Sequence, residues 1–126
     1  INTVFDTSSI IELPRVDIVP SYAGADGSAI EAFIGAGAKA IIVSTLAPGL
    51  PASLQMDAIE NALEKNIIVI YSTRAGSGRV LRRQSMIDSG IVAADNLNAQ
   101  KSRVLAMLAL TKSTDTEVIQ NFFNLY

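Results

Sequence analysis

The chain has 126 residues, 49% hydrophobic, 17% charged and 6% aromatic, which fits one compact domain. Ten Lys and Arg against twelve Asp and Glu give a formal charge of −2, and basic residues bunch only at Arg79, Arg82 and Arg83, so no stripe suited to a nucleic-acid backbone is present. With no Cys and no His, the chain by itself excludes disulfides, thiolate chemistry, His-ligated zinc and Ser-His or Cys-His nucleophile pairs, and carboxylates, Lys, Tyr and backbone amides remain as its chemical repertoire.

Residues 1–14 read as a linker, with turn formers Asp6, Ser8 and Ser9 ahead of the boundary Pro14; opening at Ile1 without a Met or an apolar leader, the sequence reads as a mature product or an excised piece. Val16 to Val19, stopped by Pro20, predicts a strand, and Gly24-Ala25-Asp26-Gly27 a turn. Ser28 with Glu31 has the spacing of a capping box before a helix that carries Ile30, Phe33 and Ile34 and stops at Gly35 and Gly37. Ala40 to Thr45 is an almost unbroken apolar run, the pattern of a strand covered on both faces. Ser53 is expected to cap a helix with Leu54, Ala58, Ile59, Ala62 and Leu63 on one stripe, ending near Asn66, and Ile67 to Tyr71 predicts a third buried strand. The most apolar stretches, Ala36 to Leu46 and Asn66 to Ser72, fall far short of the roughly 20 residues of a membrane-spanning helix, so a soluble protein is expected.

Thr73 to Arg79 reads as loop, Leu81 to Ser89 as a short helix ending at Gly90, and Ile91 to Ala94 as a fourth strand. Asn98 opens a helix with Val104, Leu105, Leu108 and Ala109 on one face, and Thr114 with Glu117 forms a second capping-box pattern before Val118, Ile119, Phe122 and Phe123. Strands alternating with helices predict a three-layer α/β/α fold, flavodoxin-like or Rossmann-like, around a four-stranded parallel sheet.

In such a sheet, ligands meet the loops that leave the carboxyl ends of the strands: Pro20 to Gly27, Leu46 to Ala52 and Ser72 to Val80. In the third loop Arg74 and Arg79 flank Gly76-Ser77-Gly78, so Arg74, Ser77 and Gly78 form a candidate anion site, although no Gly-Lys-Ser/Thr follows and a glycine-rich turn with solvated arginines is the simpler reading. Tyr22 and Asp26 have the chemistry to line a cleft, against the plainer reading of a locally packed ring. Lys101 and Arg103 read as a solvated face or as ties to carboxylates, and Phe122, Phe123 and Tyr126 as core or interface anchors.

Taken together, Val4-Phe5-Asp6, Leu13-Pro14-Arg15-Val16-Asp17-Ile18-Val19, Tyr22-Ala23, Ser72 and Arg74, and above all Leu97-Asn98-Ala99-Gln100-Lys101-Ser102-Arg103-Val104-Leu105, Leu108-Ala109-Leu110-Thr111, Ile119-Gln120 and Phe123-Asn124-Leu125-Tyr126, carry a family pattern. They resemble the C-terminal domain of the bacterial-type L-asparaginase and glutaminase-asparaginase family, with residues 15–126 as the domain and 1–14 as the interdomain linker. The resemblance implies a parent amidohydrolase that releases ammonia from asparagine, and to a lesser degree glutamine, without cofactor or metal. It further implies that the catalytic Thr pair, Asp and Lys lie in a larger N-terminal domain, that the assembly is a homotetramer built as a dimer of dimers, and that this domain reaches a neighbouring subunit's site. Export to the periplasm or beyond is the localisation it suggests.

The family's own contributions from this domain are an Asn in a GNGN loop and a Glu after the third strand. Read without gaps, the loop falls on Ala47-Pro48-Gly49-Leu50, placing Leu50 where the Asn would be, and the Glu falls at Arg82 or Arg83. Pro48, Gly49, Leu50, Arg82 and Arg83 are therefore candidate substrate-binding positions whose residues have departed from the pattern. Leu50 cannot donate a side-chain hydrogen bond, and an arginine repels an ammonium group and attracts an acidic one. Two readings follow: a working asparaginase whose site is completed by Tyr22 or the backbone of residues 47–50, or a non-catalytic, re-purposed module that binds an anion or small molecule at Arg74 to Arg83. Either way, the 126 residues alone are expected to lack amidase activity.

Overall fold

Runs too apolar for water on either side become the strands, and amphipathic segments between them become the layers above and below. The computed structural model describes residues 12–45, 49–73, 80 and 82–126. In chain order it has β1 (Val16–Pro20), α1 (Ser28–Gly35), β2 (Ala40–Thr45), a 3-10 turn (Ser53–Gln55), α2 (Met56–Glu64), β3 (Ile68–Thr73), α3 (Gln84–Ser89), β4 (Val92–Ala93), α4 (Ala99–Leu110) and α5 (Thr116–Leu125). All three pairings are parallel, with Val16 opposite Ala40, Ala40 opposite Ile68 and Ile70 opposite Val92. The order is β1-β2-β3-β4, so strand order never reverses and the sheet lacks the crevice that a reversal opens.

Side chains alternate across the sheet. Ile41, Val43, Val69, Tyr71 and Ala93 pack with Ile30, Ala58, Ile59, Ala62 and Met86 on one face. Ala40, Ile42, Ile68, Ile70 and Val92 pack with Leu105, Ala106, Ala109, Ile119 and Phe123 on the other. The expected three-layer α/β/α arrangement is the observed one. No helix among the described residues is long and apolar enough to cross a membrane.

Several helix starts differ from the sequence expectation. Neither Ser28 nor Thr114 is the cap: the Asp26 carboxylate accepts the Ser28 N–H at 3.0 Å, and the Asp115 carboxylate accepts those of Glu117 and Val118 at 2.9 and 3.1 Å. An ionised carboxylate is the stronger acceptor for an orphan amide, and it outcompetes the neighbouring hydroxyl. The hydrogen bond from Ser28 holds the Asp26 carboxyl below its ordinary pKa. Glu31, released from the box, instead accepts from Asn61 Nδ2 at 2.9 Å and ties α1 to α2. Asn98 caps α4 as expected, accepting the Lys101 N–H at 2.8 Å, and Gly90 ends α3 at φ +77°.

Two apolar stripes are also rotated. Ser53 starts a 3-10 turn rather than capping α2, whose tighter winding leaves Leu54 64% exposed. On α4 the small residues Ala99, Ser102, Ala106 and Ala109, with Leu105, face the sheet, because they let the helix axis approach it closely. Val104, placed by its spacing on the buried face, is 54% exposed. α3 begins at Gln84, and Leu81 lies outside the described residues. β4 is shorter than expected because Asp95, at φ +58°, turns the chain away and pairs with Val80. Its backbone is satisfied by Gln120, which accepts the Ala93 N–H at 2.9 Å and donates to its carbonyl at 3.0 Å.

Candidate functional site

The carboxyl edge of the sheet gathers the ends of β1, β2 and β3. Of the candidate residues there, Pro48, Arg74, Ser77 and Gly78 lie outside the described residues. Gly49, Leu50, Arg82 and Arg83 are described, and the structure separates the two arginines.

Gly49 has φ +104°, a conformation that disfavours any side chain. A Cβ there would lie 3.5 Å from Val80 Cγ1 and 3.7 Å from Arg83 Nη2. The loop after β2 and the segment before α3, more than 30 residues apart in sequence, are thus packed against one another. Leu50, next along, is 51% exposed. The Val80 N–H bonded to the Asp95 carbonyl at 3.1 Å anchors the segment from the β4 side.

Arg82 faces elsewhere. Its Nε donates to the Ile91 carbonyl at 2.9 Å, and its Nη1 donates to the Glu117 carboxylate at 2.8 and 3.0 Å. Its side chain is only 13% exposed, and Nη2 is buried without a hydrogen-bond partner. Arg82 is consumed in joining this segment to β4 and α5, whereas Arg83 lies against Gly49. Sequence alone left the two interchangeable.

At the neighbouring loop, Tyr22 does not pack its ring as the plainer reading had it: it is 53% exposed and lines an open pocket of about 220 Å³ with Asp26, Ser28 and Gln55. Gln55 was not singled out by its sequence context, yet it is buried and braces this edge. It accepts from Ser21 Oγ at 2.6 Å and from the Ala52 N–H at 3.2 Å, and donates to the Pro20 carbonyl at 3.3 Å. Thr45 Oγ1 donates to the Ser72 carbonyl at 2.8 Å. Tyr71, in the same apolar cluster as Val80, has its phenol pushed up to about 12 by burial.

Arg103 is exposed, in keeping with the solvated-face reading, and its Nε also donates to the Val16 carbonyl at 2.7 Å. Phe123 is a core residue, 1% exposed, while Tyr126 is 50% exposed. Tyr126 joins Leu97, Lys101, Val104 and Leu108 around an apolar groove of about 470 Å³ on the outer side of α4. No group of three or more acidic side chains that could hold a metal ion occurs among the described residues.

The comparisons with known proteins agree with this architecture. Residues 15–123 match the family model of the glutaminase/asparaginase C-terminal domain. The chain is 37% identical over 125 residues to L-asparaginase 2 of Bacillus subtilis, covering 99% of this chain and 33% of that protein. It is 36% identical over 122 residues to the glutaminase-asparaginase of Pseudomonas fluorescens, covering 94% of this chain and 34% of that protein. A crystal structure of a probable cytoplasmic L-asparaginase from Campylobacter jejuni superposes with a TM-score of 0.94 at 39% identity, over 98% of this chain and 40% of that one. The chain spans about a third of the length of the curated relatives it matches. Matched across nearly its whole length in sequence and in backbone, the chain belongs to the family of glutaminase/asparaginase C-terminal domains.

Proposed function

We propose that the chain is the C-terminal domain of an amidohydrolase that converts L-asparagine and water to L-aspartate and ammonia. In this reading it packs against its own N-terminal catalytic domain, takes part in a dimer-of-dimers assembly, and presents its carboxyl edge to a neighbouring subunit's active site. The observation that carries the reading is the family match over residues 15–123 in a chain one third as long as its relatives. The outer groove formed by Val104, Leu108 and Tyr126 supports it, being apolar surface of the kind that domain and subunit packing covers.

Chemically, the domain's part is positioning. The parallel strands, braced by Gln55 and by the Arg82 ties, hold Gly49, Leu50 and Arg83 at one edge, where they would contact a substrate bound mainly by the other domain. The test is ammonia release from asparagine and glutamine by the parent polypeptide, with the 126-residue domain as control. Release by the parent alone is the expected result. Silence in both would instead favour a re-purposed binding module, and release by the isolated domain would overturn the division of labour.

A further inference from the structure

We infer that side chains from outside the sheet close both of its outer edges, and that Gln120 and Arg103 in this way keep a second copy of the chain from adding its own edge strand. In a parallel sheet each strand directs the backbone groups of alternate residues to one neighbour. Arg15 and Ser21 bond toward β2: the Arg15 carbonyl accepts the Lys39 N–H at 2.8 Å, and the Ser21 N–H donates to the Ser44 carbonyl at 2.8 Å. Val16, Ile18 and Pro20, which alternate with them, therefore turn their backbone groups outward. At the opposite edge the Ala94 N–H donates to the Tyr71 carbonyl of β3 at 2.9 Å, so Ala93 is the residue of β4 that faces out.

Outward backbone groups of this kind are a template for another strand. Here side chains occupy them. On β4 the Gln120 carboxamide accepts the Ala93 N–H at 2.9 Å and donates to the Ala93 carbonyl at 3.0 Å, the two bonds that a fifth strand would supply. The Asn124 carboxamide oxygen accepts from Gln120 Nε2 at 3.0 Å, which fixes the orientation of the Gln120 amide. On β1, Arg103 Nε donates to the Val16 carbonyl at 2.7 Å, Gln55 Nε2 donates to the Pro20 carbonyl at 3.3 Å, and Pro20 has no N–H to offer. An incoming strand would find the carbonyls on both sides of Ile18 already bonded. A formal charge of only −2 gives copies of the chain little mutual repulsion, so closure of the edges, more than charge, holds them apart.

The experiment uses the full parent polypeptide and two substitutions that keep an unbranched stem but remove the bonds, Gln120→Met and Arg103→Met. Beside them stands Ile42→Ala, which opens a cavity at a fully buried position of β2 and leaves both edges closed. Each protein is held at the same interval below its own Tm, so that lost stability alone acts equally, while sedimentation velocity follows association and infrared spectroscopy follows the band of intermolecular sheet. Gln120→Met, which frees a donor and an acceptor, is expected to associate about fivefold or more faster than Ile42→Ala, and Arg103→Met, which frees one acceptor, about twofold faster, both with intermolecular sheet in the product. If Gln120→Met fails to fold, Arg103→Met, at an exposed position, decides the question. Association no faster than that of Ile42→Ala in the folded methionine variants, or faster association without intermolecular sheet, overturns the inference.

Discussion

The two helical layers treat their outer surfaces differently. The α1–α2 layer is closed on itself: Gly27 lies so near α2 that an added Cβ would come within 2.7 Å of Ala58 Cβ, and Glu31 and Asn61 bridge the helices with a hydrogen bond. The α4–α5 layer packs equally well inward, with Phe123, Ile119 and Ala106 almost fully buried, but its outer side keeps Val104, Leu108 and Tyr126 around an open groove. One layer is bridged from helix to helix by its own polar residues, and the other keeps an apolar groove on its outer side. A helix apolar on two sides has a second surface to cover.

Substitutions test that contrast directly. Phe123→Ala should destabilise the isolated domain by about 4 kcal/mol, since it removes a fully buried ring from the α4–α5 core, and urea unfolding would read it. The α1–α2 layer should show a pH limit absent from its counterpart. Burial raises the Tyr71 phenol from 10.0 to about 12, so the folded state keeps a proton that the unfolded chain loses. Stability is whole below pH 10 and falls as pH rises toward 12, by about 2–3 kcal/mol in all. Melting curves from pH 8 to 12 should show this loss, and Tyr71→Phe should remove it.

Smaller effects sharpen the comparison. Gly27→Ala should cost about 2 kcal/mol, because the contact with Ala58 has no flexible side-chain end to yield, and a lowered Tm would report it. Val104→Ser should change the isolated domain's stability by no more than about 0.5 kcal/mol, as expected for a residue on an uncovered surface. A large loss there would show that the groove is part of the domain's own core.

Much of the architecture was legible because burial on both faces writes itself into composition: Ala40 to Thr45 and Ile68 to Tyr71 have no other comfortable environment. Helix existence was legible for the same reason. Helix faces were less so, since Val104 and Leu105 are adjacent apolar residues and only the closeness of α4 to the sheet decides which one is covered. Caps failed where two acceptors stood side by side, Asp26 near Ser28 and Asp115 next to Thr114. At the candidate site, the positions of Gly49 and Leu50 followed from pattern, but the division between Arg82 and Arg83 depends on Glu117, 35 residues away from Arg82. The bracing roles of Gln55 and Gln120 were not legible because their partners, Ser21 and Ala93, are remote in sequence.

The sequential strand order also bears on how the domain is made. Each strand pairs with the one synthesised just before it, so the sheet can grow one strand at a time from the amino end, with α1, α2 and α3 covering one side as they emerge. The opposite side has no such companion: Val16, Ala40, Ile42, Ile68 and Ile70 wait for α4 and α5, the last elements to appear. The hydrogen bond from Arg103 to the Val16 carbonyl, spanning 87 residues, then binds the final layer to the first strand. A nascent chain halted before α4 would therefore lack every helix that covers this face of the sheet.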